Sequence, residues 1–303
     1  VEPVVAVDVG GTSIKAALVD ASLTIRGSAS SPTPERDANG AKTVTAVAAL
    51  VTELSDSQAV SAVGFVVPGT LDEKRGIARW AGNLGWRDLP IRDLLTERLQ
   101  IPIAFGHDVR AGAVAEHRAG SARGAKDAVF IPIGTGVAAA LVVDGEIRSA
   151  DGYAGEIGHI NVGHEMLCVC GKHGCLEAIA SASAIARNYS ARSGQGVVEA
   201  TEVISRMRGG DAIAIRVWDE AVTSLSIVCE WIVTILAPER IVFGGGLAQS
   251  GSLLFDPIRK KLEASLTFQR IPQILPAHFG ANAGTIGAAL MAFDLITKEG
   301  VST

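Results

Sequence analysis

The chain opens on an apolar run, Val4 to Val9, in which Val5, Val7 and Val9 alternate with Val4, Ala6 and Asp8. Gly10-Gly11 interrupts the run and Ile14 to Val19 resumes it. Two apolar strands around a Gly-Gly pair predict a β-hairpin, with glycine accepting the positive φ such a turn needs. The pattern returns from Ile131 to Gly145, again strand, Gly-Thr-Gly turn and strand. Aligning Gly11-Thr12 with Gly134-Thr135 also aligns Leu18-Val19 with Leu141-Val142. This repeat predicts two similar halves, each presenting a hairpin to a shared cleft.

Between the hairpins, apolar and polar positions alternate at helix and strand periods. Ser28 to Gly40 reads as a polar loop and Ala41 to Leu54 as a helix. Ala62 to Val67 reads as a strand closed by the turn Pro68-Gly69-Thr70. Ile91 to Leu99 has helical spacing, Pro102 to Phe105 is a buried strand, and Val109 to Arg118 is helical again. After the second hairpin the pattern predicts helices over Cys175 to Tyr189, Thr201 to Met207 and Asp211 to Leu236. A strand, Arg240 to Phe243, runs into Gly244-Gly245-Gly246, followed by helices over Ser252 to Leu266 and Ala281 to Ile296. The last is rich in alanine and glycine, which suits close packing. Strands alternating with helices predict an α/β fold. The halves divide near Gly120 to Lys126, as 1–122 and 123–303, with the terminal helix crossing back to the first half.

With 48% hydrophobic and 19% charged residues over 303 positions, the composition is that of a globular protein with room for two domains. A formal net charge of -5 argues against nucleic-acid or anionic-membrane partners. No signal peptide opens the sequence, and the longest apolar run, Ala221 to Leu236, carries too many polar residues to span a membrane. Three of the four cysteines crowd together, which fits a metal site in a reducing, cytoplasmic compartment better than a disulfide framework.

The apolar hairpin tip holds Asp8, Thr12 and Lys15. Bare glycine N–H groups beside a hydroxyl and an ammonium suit phosphate, and the carboxylate suits Mg²⁺ or its waters. No G-x-x-x-x-G-K-[ST] loop occurs, and GTGVAA is followed by a strand rather than a helix, so neither P-loop nor dinucleotide binding is expected. His159, Cys168, Cys170 and Cys175 make a Cys₃His set suited to structural Zn²⁺, with His164 and His173 as competing ligands. Glu156 and Glu177 flank that set, where a metal-stiffened loop would hold both carboxylates against vicinal hydroxyls of a sugar. Asp108, at a strand-to-helix junction, either caps the helix or faces a ligand beyond the strand's carboxyl end. Asn83, between two tryptophans in WAGNLGW, is a turn residue or a hydroxyl reader.

With these motifs in view, the chain resembles the ROK family (repressor, open reading frame, kinase) of the two-domain, actin-like (ribonuclease H-like) sugar kinase fold. DVGGTSIK resembles the family's first phosphate motif, IGTGVAAAL its second, AGEIGH with CVCGKHGCLE its zinc and sugar signature, IVFGGGLAQSG its adenosine motif, and NLGW its sugar-reading turn. The resemblance implies ATP-dependent phosphorylation of a hexose 6-hydroxyl, glucose first, then mannose, N-acetylglucosamine and N-acetylmannosamine. Asp108 would be the general base. Asn83, Glu156, His159 and Glu177 would hold ring hydroxyls, with His159 also a zinc ligand. Gly10, Gly11, Thr12, Gly134 and Thr135 would line the phosphates, and Gly244, Gly245 and Gly246 the adenosine. It also implies a homodimer. One departure stands out: His107 replaces the asparagine that family members commonly have before the aspartate, placing an imidazole at a sugar-reading position. The alternative is an imidazole turned away and satisfied by backbone. Other expectations for the chain are a sugar-sensing regulator, for which only Val1 to Pro3 precede the first strand, or a sugar-binding protein without transfer activity.

Overall fold

The computed structural model describes residues 2–300 other than Arg36, Ser57, Val197 and Val198, with side chains as far as Thr297. The backbone forms two units: Val1–Ala115 with Ser149–Ala154 and Asn282–Thr303, and Glu116–Arg148 with Gly155–Ala281.

In the first unit, β1 (Val4–Val9), β2 (Ser13–Val19) and β3 (Ile25–Pro32) form an antiparallel meander. After α1 (Ala41–Ser55), β4 (Val63–Val67) returns parallel to β1. A separate small sheet follows, made of β5 (Thr70–Asp72), β6 (Ile77–Ala81) and β7 (Trp86–Leu89). Then α2 (Ile91–Leu99) leads to β8 (Ile103–His107), parallel to β4, and α3 (Asp108–Ala119) begins where β8 ends. The order of the main sheet is β3-β2-β1-β4-β8.

The second unit repeats this plan. Strands β9 (Ala128–Pro132), β10 (Ala140–Val143) and β11 (Glu146–Arg148) form the meander. Helices α4 (Glu177–Ala180), α5 (Ala182–Ser193), α6 (Ala200–Arg208) and α7 (Ala212–Leu236) precede β12 (Arg240–Gly244). Helix α8 (Ser252–Ser265) leads to β13 (Gln273–Pro276). The order is β11-β10-β9-β12-β13, with β12 parallel to both neighbours. Finally α9 (Ala283–Gly300) belongs to the first unit, packed on β1, β4 and β8.

Burial explains which elements the hydrophobic pattern reveals. Central strands β1 and β4 are covered on both faces and are apolar nearly throughout. Edge strand β3 is half solvated and carries Arg26, Ser28, Ser30 and Ser31, so the predicted loop from Ser28 is in fact strand as far as Pro32. The helix predicted over Cys175 to Tyr189 is two helices. Ser181 is extended between them and its hydroxyl accepts the Ala184 N–H at 3.1 Å, which starts α5 afresh. The small residues of α9 allow backbone contact: a Cβ on Gly287 would stand 1.8 Å from the Ala111 carbonyl oxygen. Likewise a Cβ on Gly64 of β4 would stand 1.9 Å from the Ala288 oxygen. No helix among the described residues is long and apolar enough to cross a membrane.

One buried carboxylate ties the end of α3 to the segment after β13. Glu116 accepts the N–H groups of Ser121 at 2.8 Å, His278 at 3.0 Å and Phe279 at 2.8 Å. Removing it strands three donors, so Glu116→Ala is expected to cost about 3 kcal/mol or more, and Glu116→Gln less, since the amide keeps one acceptor oxygen. Thermal unfolding of the two variants checks this, and an unchanged Tm in Glu116→Ala would contradict it.

Candidate active site

The sequence-predicted residues fall into two groups, one in each unit. In the first, β1 and β2 meet at a turn in which the Gly10 N–H donates to the Ser13 oxygen at 2.9 Å. Neither Gly10 nor Gly11 has a positive φ, contrary to the sequence expectation. Their lack of side chains leaves room instead: a Cβ on Gly11 would begin 3.5 Å from Cβ of Asn83. Asn83 is exposed on a short 3-10 turn, Gly82–Leu84, between β6 and β7. Thr12 is exposed at the tip, and Lys15 faces Asp8 across the ladder.

Asp8 and Asp108 are the electrostatic centre of this group. Burial, then the nearby Asp108, pushes Asp8 up to about 7, with Lys15 opposing. Burial pushes Asp108 up to about 6, against the Val109 N–H and Arg110. The Asp108 carboxylate accepts the N–H of its neighbour Val109 at 2.7 Å and, among the described residues, no hydrogen bond from further along the first turn of α3 is seen, so this contact is not a helix cap. Gly284, in the first turn of α9, makes room for the pair. A Cβ there would lie 2.7 Å from Oδ2 of Asp8 and 3.7 Å from the Asp108 carbonyl oxygen.

His107 is buried, with Nδ1 3.2 Å from the Val109 nitrogen and 3.1 Å from Oδ1 of Asp108. Burial, then Arg110, holds its pKa down at about 3, with Glu73 opposing, so the ring is neutral near pH 7 and the contact with Asp108 is no ion pair.

In the second unit, His159, Cys168, Cys170 and Cys175 bring one ligand atom each within 4.8 Å of one another. Sγ of Cys170 and Cys175 are 3.7 Å apart, and Sγ of Cys168 is 3.8 Å from Nδ1 of His159. A tetrahedral Zn²⁺ with Zn–S bonds of ~2.3 Å needs edges of roughly 3.8 Å, so the donor set and spacing fit zinc. Burial, then Cys170 and Cys168, pushes Cys175 up to about 12. A cation is what would let Cys175 ionise beside its two neighbouring thiols. The competing histidines are committed to backbone: Nε2 of His164 to the Cys175 oxygen at 3.0 Å, and Nδ1 of His173 to the Glu165 oxygen at 2.8 Å.

With Nδ1 of His159 facing the thiols, its Nε2 lies 4.0 Å from Oε2 of Glu156. Glu177, at the start of α4, accepts the Val137 N–H at 3.0 Å, and a Cβ on Gly136 would stand 2.5 Å from that same oxygen. The zinc-loop carboxylate is therefore tied to the second glycine turn, Gly134-Thr135-Gly136. Gly245, at φ 74°, rests on this turn too: a Cβ would stand 2.3 Å from the Ile133 oxygen. Gly244 packs on the Phe130 ring, and Gly246 is open.

Sequence reading missed Glu73, Arg110 and Gly284. Glu73 lies in the charged run DEKR, which reads as a solvated turn, and Arg110 reads as one more polar helix residue. A glycine opening a helix was the one available sign of Gly284.

The sequence profile of the ROK family matches residues 4–294. A glucokinase of Halalkalibacterium halodurans is 34% identical over 312 residues, covering 93% of this chain and 92% of that protein. A ROK family glucokinase from Streptomyces griseus, solved in complex with glucose and AMPPNP, has a TM-score of 0.86 at 30% identity, covering 96% of this chain and 99% of its own. A ROK hexokinase from Thermus thermophilus has a TM-score of 0.81 at 29% identity, covering 98% and 99%. The repeated sheet order is thus the actin-like ATPase fold of the ROK sugar kinases. By sequence over nearly its whole length and by fold, this chain belongs to the ROK family.

Proposed function

We propose that the protein transfers the γ-phosphoryl group of ATP to the 6-hydroxyl of a hexose, with glucose as the leading substrate. The observation that carries this reading is the pairing of Asp8 and Asp108, both partly buried, beside a glycine turn. The glucokinase of Halalkalibacterium halodurans supports the same activity. Asp108 accepts the hydroxyl proton as O6 attacks the γ-phosphorus. The O6–P bond forms, the bond to the β–γ bridging oxygen breaks, and ADP leaves. A base with a pKa near 6 is ionised at neutral pH, yet basic enough to draw the proton in the transition state. Positioning and charge stabilisation supply most of the remaining acceleration.

Asn83, Asp108, Glu156, His159 and Glu177 are proposed to hold the sugar hydroxyls. His107 can join them only through Nε2, because Nδ1 faces Val109 and Asp108. The turns Gly10-Gly11 and Gly134-Thr135, with Thr12 and Lys15, are proposed to line the phosphates, through N–H groups other than those of Gly10 and Gly134, which already donate to the Ser13 and Gly136 oxygens, and Gly244 to Gly246 the adenosine. Asp8 would hold Mg²⁺ or its waters, a cation that supplies charge neutralisation to the phosphates. The partly buried carboxylate pair fits such an ion. His159, Cys168, Cys170 and Cys175 would hold Zn²⁺, whose contribution is rigidity of the loop bearing Glu156 and Glu177. A cytoplasmic homodimer completes the proposal, the clustered thiols suiting a reducing compartment.

ATP consumption measured across glucose, mannose, N-acetylglucosamine and N-acetylmannosamine tests the activity. Sugar binding without ADP formation would favour the transfer-incompetent alternative. Asp108→Asn keeps the shape of the side chain without its basicity, and kcat should fall by about 10²-fold or more with the fold intact. Near-normal turnover would remove Asp108 from the role of base. Because the base must be unprotonated, kcat/KM for the wild type should decline as pH drops below about 6. An acid limb near pH 4, where an ordinary carboxyl titrates, would contradict the buried site. Metal analysis should find about one Zn²⁺ per chain, and Cys170→Ala should lose both the metal and sugar affinity. A fully active preparation free of zinc would end that part of the reading.

A further inference from the structure

Asp108 lies at a junction that its own side chain does little to hold. Its carboxylate bonds to the adjacent Val109 N–H, so its placement depends on the backbone where β8 becomes α3. Strand β8 is at the edge of its sheet, with β4 on one side and, among the described residues, no strand on the other. The N–H of His107, the last residue of β8, donates instead to a side chain, Oε1 of Glu73, at 3.2 Å. The same oxygen accepts from Arg110 in the first turn of α3, from Nε at 3.1 Å and Nη2 at 3.0 Å. One carboxylate oxygen therefore gathers three donors from both sides of Asp108 in the chain.

Glu73 is itself firmly presented. It sits in the β5–β6 turn, which α2 pins through Arg92: Nη1 donates to the Lys74 oxygen and Nη2 to the Arg75 oxygen, each at 3.1 Å. Gly76, at φ 74°, lets that guanidinium close on the turn, since a Cβ there would stand 2.5 Å from Nε. Arg110 is buried, so its charge needs a fixed partner, and a buried guanidinium accepts few alternative positions.

We propose that Glu73 is a positioning residue for Asp108, clamping the end of β8 and the start of α3 through the His107 N–H and the Arg110 guanidinium. It touches neither sugar nor nucleotide in this proposal, which rests on the reading of Asp108 as the base. Loosening the junction displaces the base from the attacking hydroxyl, and displacements near 1 Å can cost about 10²-fold in rate. The loss should therefore fall on kcat and leave KM for sugar and ATP nearly unchanged.

The experiment is a double-mutant cycle in Glu73 and Asp108, read as kcat and KM well below each variant's Tm. Glu73→Ala should lower kcat by about 10- to 100-fold. Glu73→Gln, which keeps an acceptor oxygen for the three donors, should recover most of that loss. In the Asp108→Asn background, Glu73→Ala should add no further loss, because no base remains to be positioned. Equal losses in both backgrounds would show a general structural role and overturn the proposal, as would a Glu73→Gln variant as slow as Glu73→Ala. Asp108→Asn measured alone separates the two questions. If it is nearly as fast as the wild type, the reading of the base fails. If it is slow and Glu73→Ala is not, the clamp alone fails.

Discussion

Two carboxylates withdrawn from water side by side set the terms for the rest of the first unit. Isolated, Asp8 and Asp108 would ionise near pH 4; burial raises both, to about 7 and 6, and the nearby Asp108 adds to the rise at Asp8. A carboxyl whose pKa is raised by folding opposes folding at neutral pH, a cost the rest of the structure must offset. Gly284 admits the start of α9 against both residues, and Gly287 and Gly64 lock that helix to α3 and β4 through contacts that leave no room for a methyl group.

The second unit solves a different problem, holding polar groups still on an irregular loop. Between Gly155 and Glu177 there is little regular structure, and the Cys₃His cluster gathers the segment around four potential ligand atoms. The bond from Glu177 to the Val137 N–H connects that segment to the glycine turn between β9 and β10. Loosening the segment would therefore disturb the turn as well.

Much of this was legible in the sequence because it depends on periodicity and on residue types with few roles. Valine alternation around Gly-Gly marks a central hairpin, its recurrence from Ile131 marks the second, and three crowded cysteines with a histidine have few other uses. Elements whose stability comes from a partner were harder to read. Strand β3 looks like a polar loop because its exposed face is polar and its order comes from pairing with β2. The glycines of the first turn looked like devices for positive φ and instead leave open space beside Asn83. Glu73 and Arg110 are ordinary surface residue types, given meaning only by a fold that places them either side of the Asp108 junction.

The central claim is transfer to a particular oxygen, and the identity of the product tests it most directly. The protein, incubated with ATP, Mg²⁺ and ¹³C-labelled glucose, can be followed by phosphorus and carbon NMR. A phosphomonoester coupled to C6, formed in step with ADP, is the predicted result. ADP and inorganic phosphate without a sugar ester, or an ester at C1, would contradict the account.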